Sequence, residues 1–327
     1  MTGKIHCTSN KQATKSSGVV SILSAGHSGS TLLDLCLGEL PGAFSTGELK
    51  QLTWQLLREG GRSEDDRRDL CTCGQRFHDC PVWRPVLEVV AKELKVDFES
   101  LPRRVAMKHL QHIDYFRSVA YLRLLRRLYL AGLSHNFFPN GFTRGCFRKV
   151  NRNNAIIIDQ VLVNTESRWI VDSSKDTVRF AELHRNTDLS VFPVVLVRYV
   201  ESVLSSKYMQ GRNLENVRMA WLEYYNKQVL PLLKDMPDDS YAIISYERFI
   251  AEPQKTISAI ADKLDLDAST FSPTCHPKKC HLVAGNPVRY TDPLRVKIKD
   301  FDPKSHRRAL EESGLDRFFF KRLIVGD

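Results

Sequence analysis

The chain has 327 residues, 42% of them hydrophobic, and no Gly/Ser/Pro-rich linker or internal repeat divides it, so one main domain with a large buried core is expected. Its apolar runs fall short of the roughly 18 residues of a membrane span, and its first residues lack a signal peptide's cleavage architecture, which together predict a soluble, cytoplasmic protein. A formal charge of +10 favours an anionic partner without choosing among a nucleotide, a nucleic acid, a sulfated polymer and a membrane surface.

In chain order, residues 1–17 read as a polar tail, and residues 18–327 as a single α/β domain. The first strand-like run, "GVVSILSA", passes through "GHSGST" into the helical "STLLDLCLGEL". A short strand-like "GAFST" follows and ends at Glu48. Residues 49–167 read as a largely helical, less regular insertion. Within it, Val105, Leu110, Ile113, Phe116, Ala120, Leu124, Leu128 and Leu130 keep approximate helical spacing among Arg and Lys, which fits a solvated basic face or an acceptor-binding subdomain. Three more strand–helix pairs complete the chain: "RWIVDSS" with "KDTVRFAELHRN", "VFPVVLVR" with "VESVLSSKYMQ", and "YAIISYERF" with "PQKTISAIADKL", where Pro253 suits a first helical turn. The alternation predicts a P-loop-like parallel central sheet flanked by helices, with ligands bound beyond the carboxyl ends of its strands.

The loop "GHSGST" has the chemistry of an anion cradle. Gly26 and Gly29 are expected to turn the backbone so that N–H groups and a helix N-terminus face one anion, with hydroxyls from Ser28, Ser30 and Thr31 and an imidazole from His27. A P-loop NTPase would carry Lys after the last glycine; Ser30 stands there, which disfavours a metal-assisted triphosphate site.

The stretch "GHSGSTLLDLCLGELPGAFSTGEL" resembles the 5′-phosphosulfate loop of sulfotransferases that use 3′-phosphoadenosine 5′-phosphosulfate (PAPS), in particular a bacterial-type branch with an "SGSTLL...P...GEL" pattern. "VVLVRYVESVLSSK" resembles the 3′-phosphate motif of that family, with Arg198 and, eight residues on, Ser206; the family's frequent Asp-Pro after the Arg is replaced by Tyr199 and Val200. Weaker likenesses are "VDSSK", "YERFIAEP" and "AGNPVRY". In order, these matches run from Val19 to about Tyr290.

The resemblance implies PAPS as co-substrate, bound by Gly26, His27, Ser28, Gly29, Ser30, Thr31, Arg198, Ser206 and Arg289, with no catalytic metal. It implies transfer of the sulfuryl group to a hydroxyl, or second to an amine, of a small-molecule, lipid or carbohydrate acceptor, with no nucleic acid as partner. Glu48 is the expected base, through a carboxylate whose pKa an apolar, closed site can raise; pairing with a cation such as Lys50 is the structural alternative. His27 is a second candidate for the base or a sulfuryl contact, and Lys175 is expected to supply positive charge at the leaving phosphate. The competing functions are a P-loop nucleotide or small-molecule kinase and a non-catalytic polyanion binder.

"CTCGQRFHDC" gathers Cys71, Cys73, His78 and Cys80. Its C-x-C-x₆-C spacing lacks the paired C-x-x-C knuckles of a strong zinc signature, so reduced structural cysteines are favoured over a metal or a disulfide, and no metal ligand is assigned. Cys275 and Cys280, with His276 and His281, form a still less specific group.

Overall fold

The structure, a computed structural model, describes residues 17–58, 70–109, 141–208, 211–234, 236–297 and 303–314. Its centre is a five-stranded sheet of β1 (Gly18–Ser24), β2 (Ala43–Gly47), β3 (Trp169–Asp172), β4 (Ser190–Val197) and β5 (Ala242–Ser245). The spatial order is β2-β3-β1-β4-β5, and every pairing is parallel. All five strands lie where the apolar runs place them, with β1 in the middle.

Both faces of this sheet are covered, which is why most of its strands read as largely apolar runs rather than alternating ones. On one face Val20 and Ile22 of β1, Leu196 of β4 and Ile244 of β5 pack under α1 (Ser30–Gly38). On the other, Leu23, Val195, Val197 and Ile243 meet Trp221 and Tyr225. Full burial of each such aliphatic side chain contributes about 1.5–3 kcal/mol, so the sheet is the rigid part on which loops can be held.

A third cluster joins Val19 and Ile170 to the insertion. There, α2 (Leu52–Arg58) is followed by α3 (Trp83–Leu94), whose Trp83, Val86, Leu87, Val90 and Ala91 recur at helical spacing and are all buried. They face Ile157, Ile158 and Val161 of α4 (Gly141–Asn164). The described parts of the insertion are thus mainly helical. The basic run carrying Leu110, Ile113, Phe116, Ala120, Leu124, Leu128 and Leu130 lies outside the described residues, as does the tail before Ser17; Val105 is buried in the third cluster just beyond a short helical turn, Leu101–Arg104.

Further helices follow their strands: α5 (Thr177–Asn186) after β3, α6 (Val200–Tyr208) and α7 (Leu214–Tyr224) after β4, α8 (Tyr246–Ala251) and α9 (Pro253–Leu264) after β5, while Pro303–Ser313 packs on the second face through Ala309 and Leu310. Pro253 opens α9, as its fixed φ favours. Among the described residues, no helix is long and apolar enough to cross a membrane.

Candidate active site

Five loops meet at the carboxyl edge of the sheet. The loop between β1 and α1 turns through left-handed backbone at His27 (φ 66°) and Gly29 (φ 90°). Gly26, one of the two glycines expected to make the turn, has no such angle and nothing near the position of a Cβ. His27 therefore takes over a conformation usually left to glycine, at a cost of about 1–3 kcal/mol that its surroundings must offset. Gly29 is required twice: its φ disfavours a side chain, and a Cβ there would lie 2.4 Å from the ring of Tyr246. It caps α1 without a side-chain hydrogen bond, leaving the first helical amides open to an anion.

Tyr225 anchors the root of this loop. Its hydroxyl accepts from the Ala25 amide at 3.1 Å and donates to the Leu196 carbonyl at 2.7 Å, tying the loop to β4. The residue lies in a π-helical turn, Tyr225–Val229, directly after α7. Burial pushes its phenol far above the ordinary value, so the hydroxyl stays protonated and keeps both bonds.

From the end of β4, Arg198 donates to the His27 carbonyl at 3.0 Å, and its guanidinium lies 4.4 Å from the centre of the Tyr246 ring. Nearly two turns into α6, Ser206 Oγ is 3.3 Å from His27 Nδ1. Arg198, Ser206 and His27 thus form one group on the loop, with Arg198 and Ser206 at the positions of the 3′-phosphate motif that the chain resembles. Thr31 Oγ1 accepts from the Asn286 amide at 3.2 Å, bringing the C-terminal "AGNPVRY" segment onto the start of α1. Arg289 of that segment is buried, with its guanidinium 2.5 Å from the Tyr290 hydroxyl and its Cδ flanking Gly285 opposite Thr31.

A second group forms at the ends of β2 and β3. Gly47 has φ 69°, and a Cβ on it would lie 2.4 Å from the Ala284 carbonyl, which accepts the Glu48 amide at 3.0 Å. The parallel pairing sets Gly47 beside Asp172, so Glu48 faces the loop Ser173–Lys175. Asp172 holds that loop by accepting from the Ser174 amide and by a buried 2.8 Å ion pair with Arg179. Lys175, also left-handed (φ 59°), then places Nζ 2.5 Å from Glu48 Oε1. Pairing of Glu48 with Lys50 is not what the structure shows: Lys50 lies 3.7 Å from Asp176 instead.

A cleft of about 720 Å³ brings Lys175 of the second group together with Ala25 and Gly26 of the loop. Val203, Asn213, Val217 and Trp221 are among its other lining residues.

Beneath the pair lies Asp34, which sequence reading passed over as one helical position among many. It is fully buried on α1 and accepts a short hydrogen bond from Ser45. Burial pushes its carboxyl up to about 7, against the opposing effect of the Ser173 and Ser45 hydroxyls. Because the folded value exceeds the unfolded one, this stabilisation is complete below about pH 4 and is lost as pH rises to about 7. Asp34→Asn is expected to gain on the wild type by about 2–3 kcal/mol between about pH 5 and pH 8, read from urea midpoints at the two values. Parallel pH profiles for the two proteins would contradict the buried, protonated carboxyl.

Two site residues, Tyr225 and Tyr246, had weak signals in sequence: an aromatic pair inside a helical run, and an aromatic directly after the run "AIIS". The cysteine segment is rearranged relative to expectation. His78 packs edge-on against Phe98, with ring centres 5.2 Å apart, while His281 joins Cys71, Cys73 and Cys80.

No protein-family model and no curated protein matches the chain. Among solved structures, the sulfotransferase domain from the Synechococcus PCC 7002 olefin synthase is similar at 18% identity and a TM-score of 0.47, over 95% of this chain and 98% of that one. The sulfotransferase domain from the curacin biosynthetic pathway is similar at 15% identity and a TM-score of 0.46, over 94% and 98%.

Proposed function

We propose that the protein is a PAPS-dependent sulfotransferase acting on a hydroxyl of a small-molecule, lipid or carbohydrate acceptor. The observation that carries this reading is the joining of two groups by one anion loop. Arg198 and Ser206 meet it at His27, and Lys175, paired with Glu48, shares a cleft with its Ala25 and Gly26. A nucleotide with a second phosphate uses the first group, and a transfer reaction at the loop uses the second.

In this reading the amides at the start of α1 and the hydroxyls of Ser28, Ser30 and Thr31 receive the 5′-phosphosulfate. Arg198 and Ser206 receive the 3′-phosphate, for which a guanidinium offers a two-pronged donor, and Arg289 adds a further guanidinium for the nucleotide phosphates. Glu48 takes the proton of the acceptor hydroxyl as its oxygen attacks sulfur. The bond between sulfur and the bridging phosphate oxygen breaks, and 3′-phosphoadenosine 5′-phosphate departs with the electron pair. Lys175 stabilises the charge that grows on that oxygen. His27, tied to Arg198 and Ser206, holds the loop and is the second candidate for the base.

We assign the acceptor to the cleft, whose walls combine apolar Val203, Val217 and Trp221 with the polar Asn213 and Asn216. The reaction needs no Mg²⁺, since side chains and amides supply the charge stabilisation. With sulfur-labelled PAPS and pooled hydroxyl acceptors, labelled product is expected at rates unaffected by added Mg²⁺. Turnover only with Mg²⁺ and a nucleoside triphosphate would instead support a kinase.

A further inference from the structure

Away from the nucleotide loop, three cysteines and a histidine converge without any role in the reaction above. Cys80 Sγ lies 3.1 Å from His281 Nδ1 and 3.6 Å from Cys71 Sγ; Cys71 Sγ is 3.6 Å from the same imidazole nitrogen, and Cys73 Sγ is 3.8 Å from Cys80 Sγ. All four donor atoms fall within 4.8 Å of one another.

A tetrahedral zinc ion with Zn–S of about 2.3 Å and Zn–N of about 2.0 Å separates its sulfur ligands by about 3.8 Å and sulfur from nitrogen by about 3.5 Å. The separations between the four donor atoms lie close to those values. They exceed the sulfur–sulfur bond of a disulfide, about 2.05 Å, by far. We propose that Cys71, Cys73, Cys80 and His281 bind one structural Zn²⁺.

The surroundings fit a closed metal site. Gly74, at φ 89°, makes the turn that folds Cys71 and Cys73 back, with the Gly74 amide donating to the Cys71 carbonyl. The indole of Trp83 donates to the His281 carbonyl at 2.6 Å, and the Phe44 ring lies parallel to the imidazole at 6.4 Å. These contacts hold the backbone of His281 and flank its ring. Four protein donors leave no open position, so the ion is structural rather than catalytic.

The consequence is a clasp between segments 201 positions apart. From His281 the chain runs directly along the active site: the Leu282 amide donates to Thr72 Oγ1, the Val283 amide to the Thr46 carbonyl, and the Ala284 carbonyl accepts from Glu48. The metal fastens this strip to the insertion at one end, while Asn286 fastens it to Thr31 at the other.

The test is metal content, which does not depend on the sulfotransferase reading. The full chain, purified from zinc-supplemented cells without chelators or a histidine tag, is expected to hold one zinc per chain by mass spectrometry of the elements. Cobalt exchanged into it is expected to give thiolate charge-transfer and tetrahedral ligand-field bands. Cys73→Ser and His281→Asn, at the two half-buried ligands, are each expected to lower zinc content, while Cys146→Ser, outside the cluster, leaves it unchanged. Should a ligand variant fail to fold, the wild-type zinc content and cobalt spectrum still decide. Zinc-free wild type with no cobalt bands, or a disulfide between any two of the three cysteines in the unreduced protein, overturns the proposal.

Discussion

Glu48→Gln is expected to lower kcat by about 10²–10⁴ while leaving the affinity for nucleotide nearly intact. The amide keeps the shape of the carboxylate but cannot take the acceptor's proton. It also leaves Lys175, 2.5 Å away in the wild type, without its anion, so the lysine remains free to serve the leaving phosphate. Lys175→Met should fail differently: it removes charge from the leaving group and from the nucleotide together, so both kcat and nucleotide affinity fall. Separate measurement of kcat and of nucleotide binding distinguishes the two defects. The contradicting pattern is equally specific. If Glu48→Gln turns over normally while His27→Asn is inactive and still binds nucleotide, the base is His27.

The parallel sheet was legible in the sequence because burial on both faces leaves most strands as largely apolar runs, β2 (AFSTG) being the exception, and the turns after them carry hydroxyls and charges. Glu48 and Lys175 were legible as residues, but their pairing was not: 127 positions separate them, and only the parallel register of β2 and β3 brings them together. Arg198 and Ser206 were reached through the resemblance to the 3′-phosphate motif, which is a local pattern because one strand end and the following helix hold both. At the loop itself, glycine content misled. The left-handed positions are His27 and Gly29, and a histidine can occupy such a conformation where Arg198 and Ser206 hold it from two sides. The cysteine cluster shows the limit of spacing arguments. Its three thiols are local, but its imidazole arrives from the far end of the chain, while the nearby His78 packs on Phe98.

The second large effect concerns the 3′-phosphate. Arg198 does more than offer charge: it bonds the His27 carbonyl and lies against Tyr246, whose ring in turn covers Gly29. Removing it would disturb the loop as well as the phosphate contact, so an Arg198→Ala variant mixes two causes. Varying the ligand separates them. Loss of a charge-assisted hydrogen bond costs about 1.5–3 kcal/mol, which corresponds to roughly tenfold or more in affinity. Calorimetric titration of the wild-type protein with 3′-phosphoadenosine 5′-phosphate and with AMP is therefore the most direct measurement. Expected is a dissociation constant for the bisphosphate at least about tenfold below that for AMP; equal constants would mean that Arg198 and Ser206 read no 3′-phosphate and would contradict the assignment of the site to PAPS.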